Sequence, residues 1–132
     1  MAGNQGANQY KQMAIKTATP GQVLIMLYEG AIQHVKKATI CIETKDIAGK
    51  GKHIGKAHDI VNELTNTLNF EVGGEIAHDL ERLYNFMSGQ LVKANMESTK
   101  EPLLAVQKLL ETLLAGWKVA VQQAQKKAVV TK

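Results

Sequence analysis

Three places in the 132-residue chain carry residue types from which chemistry could be built. The first is Gly49-Lys50-Gly51-Lys52-His53-Ile54-Gly55-Lys56, which has the look of a phosphate-binding loop. Such a loop needs four residues between its first glycine and a Gly-Lys pair, then Ser or Thr, directly after a strand. Here Gly51 and Gly55 are separated by only three residues and Ala57 follows Lys56. The stretch reads instead as the glycine-weakened start of a helix. The second is Glu75-Ile76-Ala77-His78, the Glu-x-x-His unit of di-iron helical bundles. A di-iron site takes two such units and two further inward glutamates. His34, His53 and His58 are preceded three residues earlier by Ala31, Lys50 and Gly55, so no second unit exists. Glu75 fits better as a first-turn acid near the positive end of a helix dipole. The third is the set of single groups. His53 and His58 are five apart and do not share a helix face. His34 and Cys41 fall on an apolar face, where a hydrogen-bonded histidine and a small buried thiol are expected. No catalytic constellation, cofactor site or metal set emerges, and the chain reads as a non-enzyme.

The elements that carry these residues are helical. Apolar types make up 45% of the chain, enough to build one core, while two prolines and no long β-type alternation argue against a sandwich or barrel. A single cysteine excludes a disulfide framework. No run of about 18 apolar residues suggests a membrane span, and the polar start lacks the pattern of a signal peptide; a cytoplasmic setting is expected. The formal charge of +4 comes from sixteen basic residues, of which Arg82 alone is arginine. Bidentate readout of bases or phosphates favours arginine, so this lysine excess suits a solvated surface better than nucleic-acid binding.

Residues 1–18 read as a flexible arm, polar but carrying Tyr10, Met13 and Ile15. Thr19-Pro20-Gly21-Gln22 supplies a capping box with proline at the first helical position, and a helix is expected over about 20–44. Asp46 caps a second over about 47–68, with Ile47, Ile54, Val61 and Leu68 spaced by seven; its glycines predict a frayed start. Gly73-Gly74 precedes a third, about 74–96, with a stripe of Ile76, Leu80, Leu83, Tyr84, Met87, Leu91 and Ala94. Ser98-Thr99-Lys100-Glu101 reads as another capping box opening a fourth, about 100–125, with Leu103, Val106, Leu110, Leu113, Trp117, Ala120 and Ala124 in register. Residues 126–132 form a basic tail. Short links force antiparallel neighbours, so the expectation is an all-α, up-down four-helix bundle over 19–125.

Stripe width holds a further clue. Three helices have apolar arcs of roughly 120–140°, ordinary for one buried face, whereas Val23 to Ile42 on the first span roughly 180°. Ile25, Met26 and Ile40 lie beyond even that arc, and Ile60, Phe86, Val92, Leu104 and Val119 lie at the edge of or off the other stripes. Adjacent exposed apolar groups invite association, so a second buried interface is predicted.

The segment Thr17-Ala18-Thr19-Pro20-Gly21-Gln22-Val23-Leu24-Ile25-Met26-Leu27-Tyr28-Glu29-Gly30-Ala31-Ile32 resembles the start of the FliS family of flagellar secretion chaperones. Leu64-Thr65-Asn66-Thr67-Leu68-Asn69, Gly73-Gly74-Glu75-Ile76-Ala77, Leu83-Tyr84 and Leu113-Leu114-x-x-Trp117 extend the likeness from about Tyr10 to Val121. The Gly49-Lys50-Gly51 opening departs from the family pattern. The resemblance implies a bacterial cytoplasmic bundle that binds the disordered C-terminal region of flagellin through apolar grooves. It implies too that the bundle prevents premature polymerisation and aids flagellar type III export, with an arm bearing a tyrosine at Tyr10 covering part of the surface. Candidate contacts are Tyr10, Met13 and Ile15 in the arm, and Ile25, Met26, Tyr28, Ile60 and Leu104 in the helices; other export or regulatory proteins are further possible partners. The alternative, a basic nucleic-acid-associated bundle, would differ by a steep loss of affinity with salt.

Overall fold

The computed structural model describes residues 19–130, with side chains to Lys127. Five helices follow one another: α1 (Pro20–Glu43), α2 (Ile47–Asn66), the single turn α3 (Phe70–Gly73), α4 (Glu75–Glu97) and α5 (Glu101–Val130). The four long ones close a ring in which α1 touches α2 and α5, and α4 touches the same two. Consecutive long helices run antiparallel, so α1 and α4 face each other across the core.

Local chemistry sets most boundaries. The Thr19 hydroxyl accepts from the Gln22 N–H at 3.2 Å while the Gln22 side chain accepts from the Thr19 N–H at 3.0 Å, closing the capping box before Pro20. Asp46 accepts from the Gly49 N–H at 2.9 Å and starts α2. The Asn69 side chain accepts from Glu71 and Val72, both at 3.1 Å, and forms α3 inside a stretch expected to be a plain break. Gly74, with φ +53° and ψ −126°, joins α3 to α4 in a conformation that a Cβ would oppose.

Three expectations are corrected. The glycine-rich start of α2 is not frayed: Lys50 is 8% exposed, and its Nζ donates to the Asn95 carbonyl at 2.9 Å and the Ser98 hydroxyl at 2.6 Å. That ammonium satisfies orphan acceptors at the end of α4, where the helix dipole favours a cation. The capping box from Ser98 does not form, because Ser98 is the left-handed C-cap of α4 (φ 53°, ψ 42°) and its hydroxyl is taken by Lys50. Helix α5 opens at Glu101 with Pro102 in its first turn, where a missing N–H costs nothing. Lastly, α5 continues through the basic segment to Val130.

The predicted stripes hold in the middle of the bundle. Val35, Val61, Leu64, Met87, Leu91, Leu103, Val106 and Leu110 are all completely buried. At the ends they fail: Ile47 is 74% and Ile76 67% exposed, and Ala120 and Ala124 face solvent. A Cβ on Gly21 would lie 2.9 Å from Val121, which fixes where α1 begins alongside α5. Residues 122–127 of α5, beyond that crossing, are exposed.

Candidate binding groove

The first turns of α1, the end of α2, α3, the start of α4 and Trp117 of α5 surround a groove of about 640 Å³. Val23, Leu24 and Leu27 form one wall, Leu68 and Val72 a second, and Ile76, Ala77 and Leu80 a third. Tyr84 and Trp117 close the base, and none of the described lining residues is charged. A hollow of this size lined by apolar side chains takes apolar groups of a partner in preference to water. A second hollow, between α1 and α5, is lined by Glu29, Lys36, Glu111 and Lys118 and lacks that character.

These side chains continue the inner stripes. Leu24, Leu27, Leu68 and Trp117 pack against the core yet remain partly exposed. The base is polar only below the surface. Tyr28 and Tyr84 are joined hydroxyl to hydroxyl at 2.5 Å across the core, from α1 to α4. Burial raises both phenol pKa values far from neutrality, and the Trp117 indole also acts on the Tyr28 hydroxyl. Removing one partner strands the other in an apolar setting. Tyr84→Phe is expected to cost about 1–3 kcal/mol, and Tyr28→Phe added to it clearly less than a second such loss. Urea denaturation of the single and double variants checks this; strictly additive losses would contradict a shared bond.

The residues singled out from sequence distribute unevenly. Tyr10, Met13 and Ile15 lie outside the described residues. Tyr28 is 0% exposed, so it supports the base of the groove from behind and presents nothing to a partner. Ile25 is half-buried and Met26 exposed on α1, neither lining the groove. Ile60 packs over Gly30 at the α1–α2 seam, its Cδ1 3.4 Å from where a glycine Cβ would stand. Leu104, 45% exposed, lies on the first turns of α5 at the opposite end of the bundle. The groove itself was missed because most of its walls belong to stripes already assigned to the core. Phe70 and Val72 were the available signal: two large apolar residues, 39% and 87% exposed, in a link too short to need them.

The groups with chemical potential are accounted for by local contacts. Glu75 and His78 are exposed, and the His78 ring rests against Phe70 with centroids 4.7 Å apart. Cys41 Sγ is 3.8 Å from Asp46 Oδ2, and burial with that carboxylate raises the thiol pKa, the reverse of what a nucleophile needs. His58 pairs with Asn62 one turn on, at 3.2 Å. Among the described residues no three His, Cys, Asp or Glu side chains gather to hold a metal, and no helix is long and apolar enough to cross a membrane.

The family described as flagellar protein FliS matches residues 3–124. The flagellar secretion chaperone FliS of Bacillus subtilis strain 168 is 32% identical over 117 residues, covering 89% of this chain and 86% of that protein. The one from Salmonella typhimurium strain LT2 is 34% identical over 118 residues, covering 86% and 87%. Flagellar secretion chaperone FliSB of Pseudomonas aeruginosa is 35% identical over 113 residues, covering 83% and 90%. A crystal structure of a bacterial flagellar chaperone superposes with a TM-score of 0.74 over 90% of this chain and 97% of that one, at 24% identity, a likeness of fold.

Proposed function

The chain belongs to the FliS family of flagellar secretion chaperones, proteins that act by binding and not by catalysis, and from that premise we propose that its apolar groove receives part of the disordered C-terminal region of flagellin. Held this way in the cytoplasm, the flagellin segment is unable to pair with other subunits and stays unfolded for flagellar type III export. The observation that carries the reading is the groove bounded, among the described residues, by the apolar side chains of Leu24, Leu27, Leu68, Val72, Ile76 and Trp117.

Energetically, a disordered client loses conformational entropy when it orders on the bundle, and burial of apolar side chains must outweigh that loss. Each large apolar side chain fully buried contributes about 1.5–3 kcal/mol, so a few anchors suffice for a reversible complex. The arm ending at Thr19 joins α1 at the rim formed by Pro20 and Gly21. Tyr10, Met13 and Ile15 are close enough in sequence to compete for the same groove, which makes the arm a self-mimic of the client.

Calorimetric titration of a synthetic flagellin C-terminal segment into the full chain tests the reading. The expected result is saturable binding with a negative heat-capacity change and little change between 50 and 200 mM salt. Binding that weakens by orders of magnitude over that range would point to charge as the driving force. Tyr10→Asp is expected to alter the affinity for the segment while leaving the bundle folded; an unchanged affinity would count against the covering arm.

A further inference from the structure

We propose that His34 and His53 form a pH-operated latch between α1 and α2, closed while at least one of the two rings is neutral and opened when both are protonated. The two Nδ1 atoms are 3.1 Å apart, with ring centroids at 5.3 Å and ring planes inclined by 28°. The nearly parallel rings therefore meet through their Nδ1 edges. One Nδ1–H donates to the lone pair of the other Nδ1, which requires opposite tautomers in the neutral pair: the donor keeps a bare Nε2, and the acceptor carries its proton on Nε2.

The two added protons have different consequences. The first goes to the bare Nε2 of the donor ring. It turns that ring into an imidazolium whose Nδ1–H still donates, now as a charge-assisted bond. The second must go to the acceptor Nδ1, the atom the bond occupies. Two N–H groups and two positive charges then confront each other, and the rings must part. The pair accordingly titrates in two steps that belong to both residues together.

The surroundings oppose the second proton. Lys37 on α1 and Lys52 and Lys56 on α2 act on both rings, and His53 itself acts on His34. Asp46 at the α2 cap is the one carboxylate that acts on the pair, through His53, and none of the charges acting on either ring comes from α4 or α5. Burial comes first among the causes that lower both pKa values, with these lysines adding to it. Because the folded pKa values lie below the unfolded one, the unfolded chain binds more protons as pH falls. The stabilisation is fully present above about pH 6.5 and is lost progressively as pH falls through the lowered folded-state values, the latch itself opening only with the second proton.

What the latch holds is a glycine-rich segment of low helix propensity. Gly49, Gly51 and Gly55 lie in the first turns of α2, each up to about 1 kcal/mol less favourable in a helix than alanine. Three contacts compensate: the Asp46 cap, the Lys50 ammonium on the end of α4, and the histidine bond to α1. Opening the third is expected to loosen this segment and leave the middle of α4, residues 80–94, untouched.

Amide hydrogen exchange of the full chain at pH 7.5 and pH 5, corrected for intrinsic rates, reads the latch directly. Residues 47–56 are expected to exchange measurably faster at pH 5, with residues 80–94 unchanged. His34→Gln and His53→Gln each replace one titrating ring with an amide that bonds the remaining ring in either protonation state, so both are expected to abolish the difference. An equal pH effect in wild type and variants overturns the proposal, as does no effect in wild type. Titration of the wild-type imidazoles by nitrogen NMR is independent of any variant. Two separated steps below the ordinary histidine range support the latch, and two unlinked ordinary titrations overturn it.

Discussion

Val72→Asp together with Ile76→Asp is expected to weaken binding of the flagellin C-terminal segment by about 100-fold while the bundle stays folded. Both side chains line the groove, and both are largely exposed, at 87% and 67%. The free protein therefore loses little packing. Asp at position 76 would even sit in the first turn of α4, where the helix dipole favours an acid. In the complex, two anchors worth about 1.5–3 kcal/mol each when buried are removed, and two carboxylates would have to be dehydrated in an apolar setting. A 100-fold loss corresponds to about 2.8 kcal/mol, a conservative share of that total. Leu104→Asp is the matched control, since Leu104 is exposed on the first turns of α5 and far from the groove. Calorimetry on the two proteins separates the possibilities. If Leu104→Asp abolishes binding and the double variant does not, the client lies elsewhere.

The second large effect concerns stability. Leu110→Ala is expected to destabilise the bundle by about 2–5 kcal/mol, whereas Ile47→Ala should change stability by no more than about 0.5 kcal/mol. Both residues belong to apolar stripes legible in the sequence. Leu110 is fully buried in α5, so truncation leaves a cavity among residues that relax only in part. Ile47 is the first residue of α2 and is 74% exposed, so nothing packs closely enough on it to be lost. For a domain whose whole stability is of order 5–15 kcal/mol, the first change is severe. Urea denaturation at neutral pH measures both; a costly Ile47→Ala would mean that the end of the bundle is more tightly packed than described.

The helices were readable because their causes are local. The Thr19–Gln22 capping box, the Asp46 cap and the seven-residue spacing through Ile54, Val61 and Leu68 depend on residues a few positions apart. Ser98 shows the limit of that logic. By type and spacing it suits a cap for α5, but Lys50, forty-eight positions away, takes its hydroxyl. The wide apolar arc of α1 pointed to surplus apolar surface, and the reading from sequence placed it on residues at or beyond the stripe edges such as Ile25, Ile60 and Leu104. The groove is built mostly from on-stripe residues that the bundle fails to cover.

The amino-acid order alone thus determined that this chain forms long amphipathic helices, antiparallel through short links, and its motifs carried the family resemblance. Only the tertiary structure decided which ends of the stripes stay open, that Tyr28 faces Tyr84 and not a partner, and that His34 meets His53. The reason is physical. Periodicity specifies which face of a helix is apolar, but whether a given turn of that face is covered depends on where its neighbours begin, end and splay.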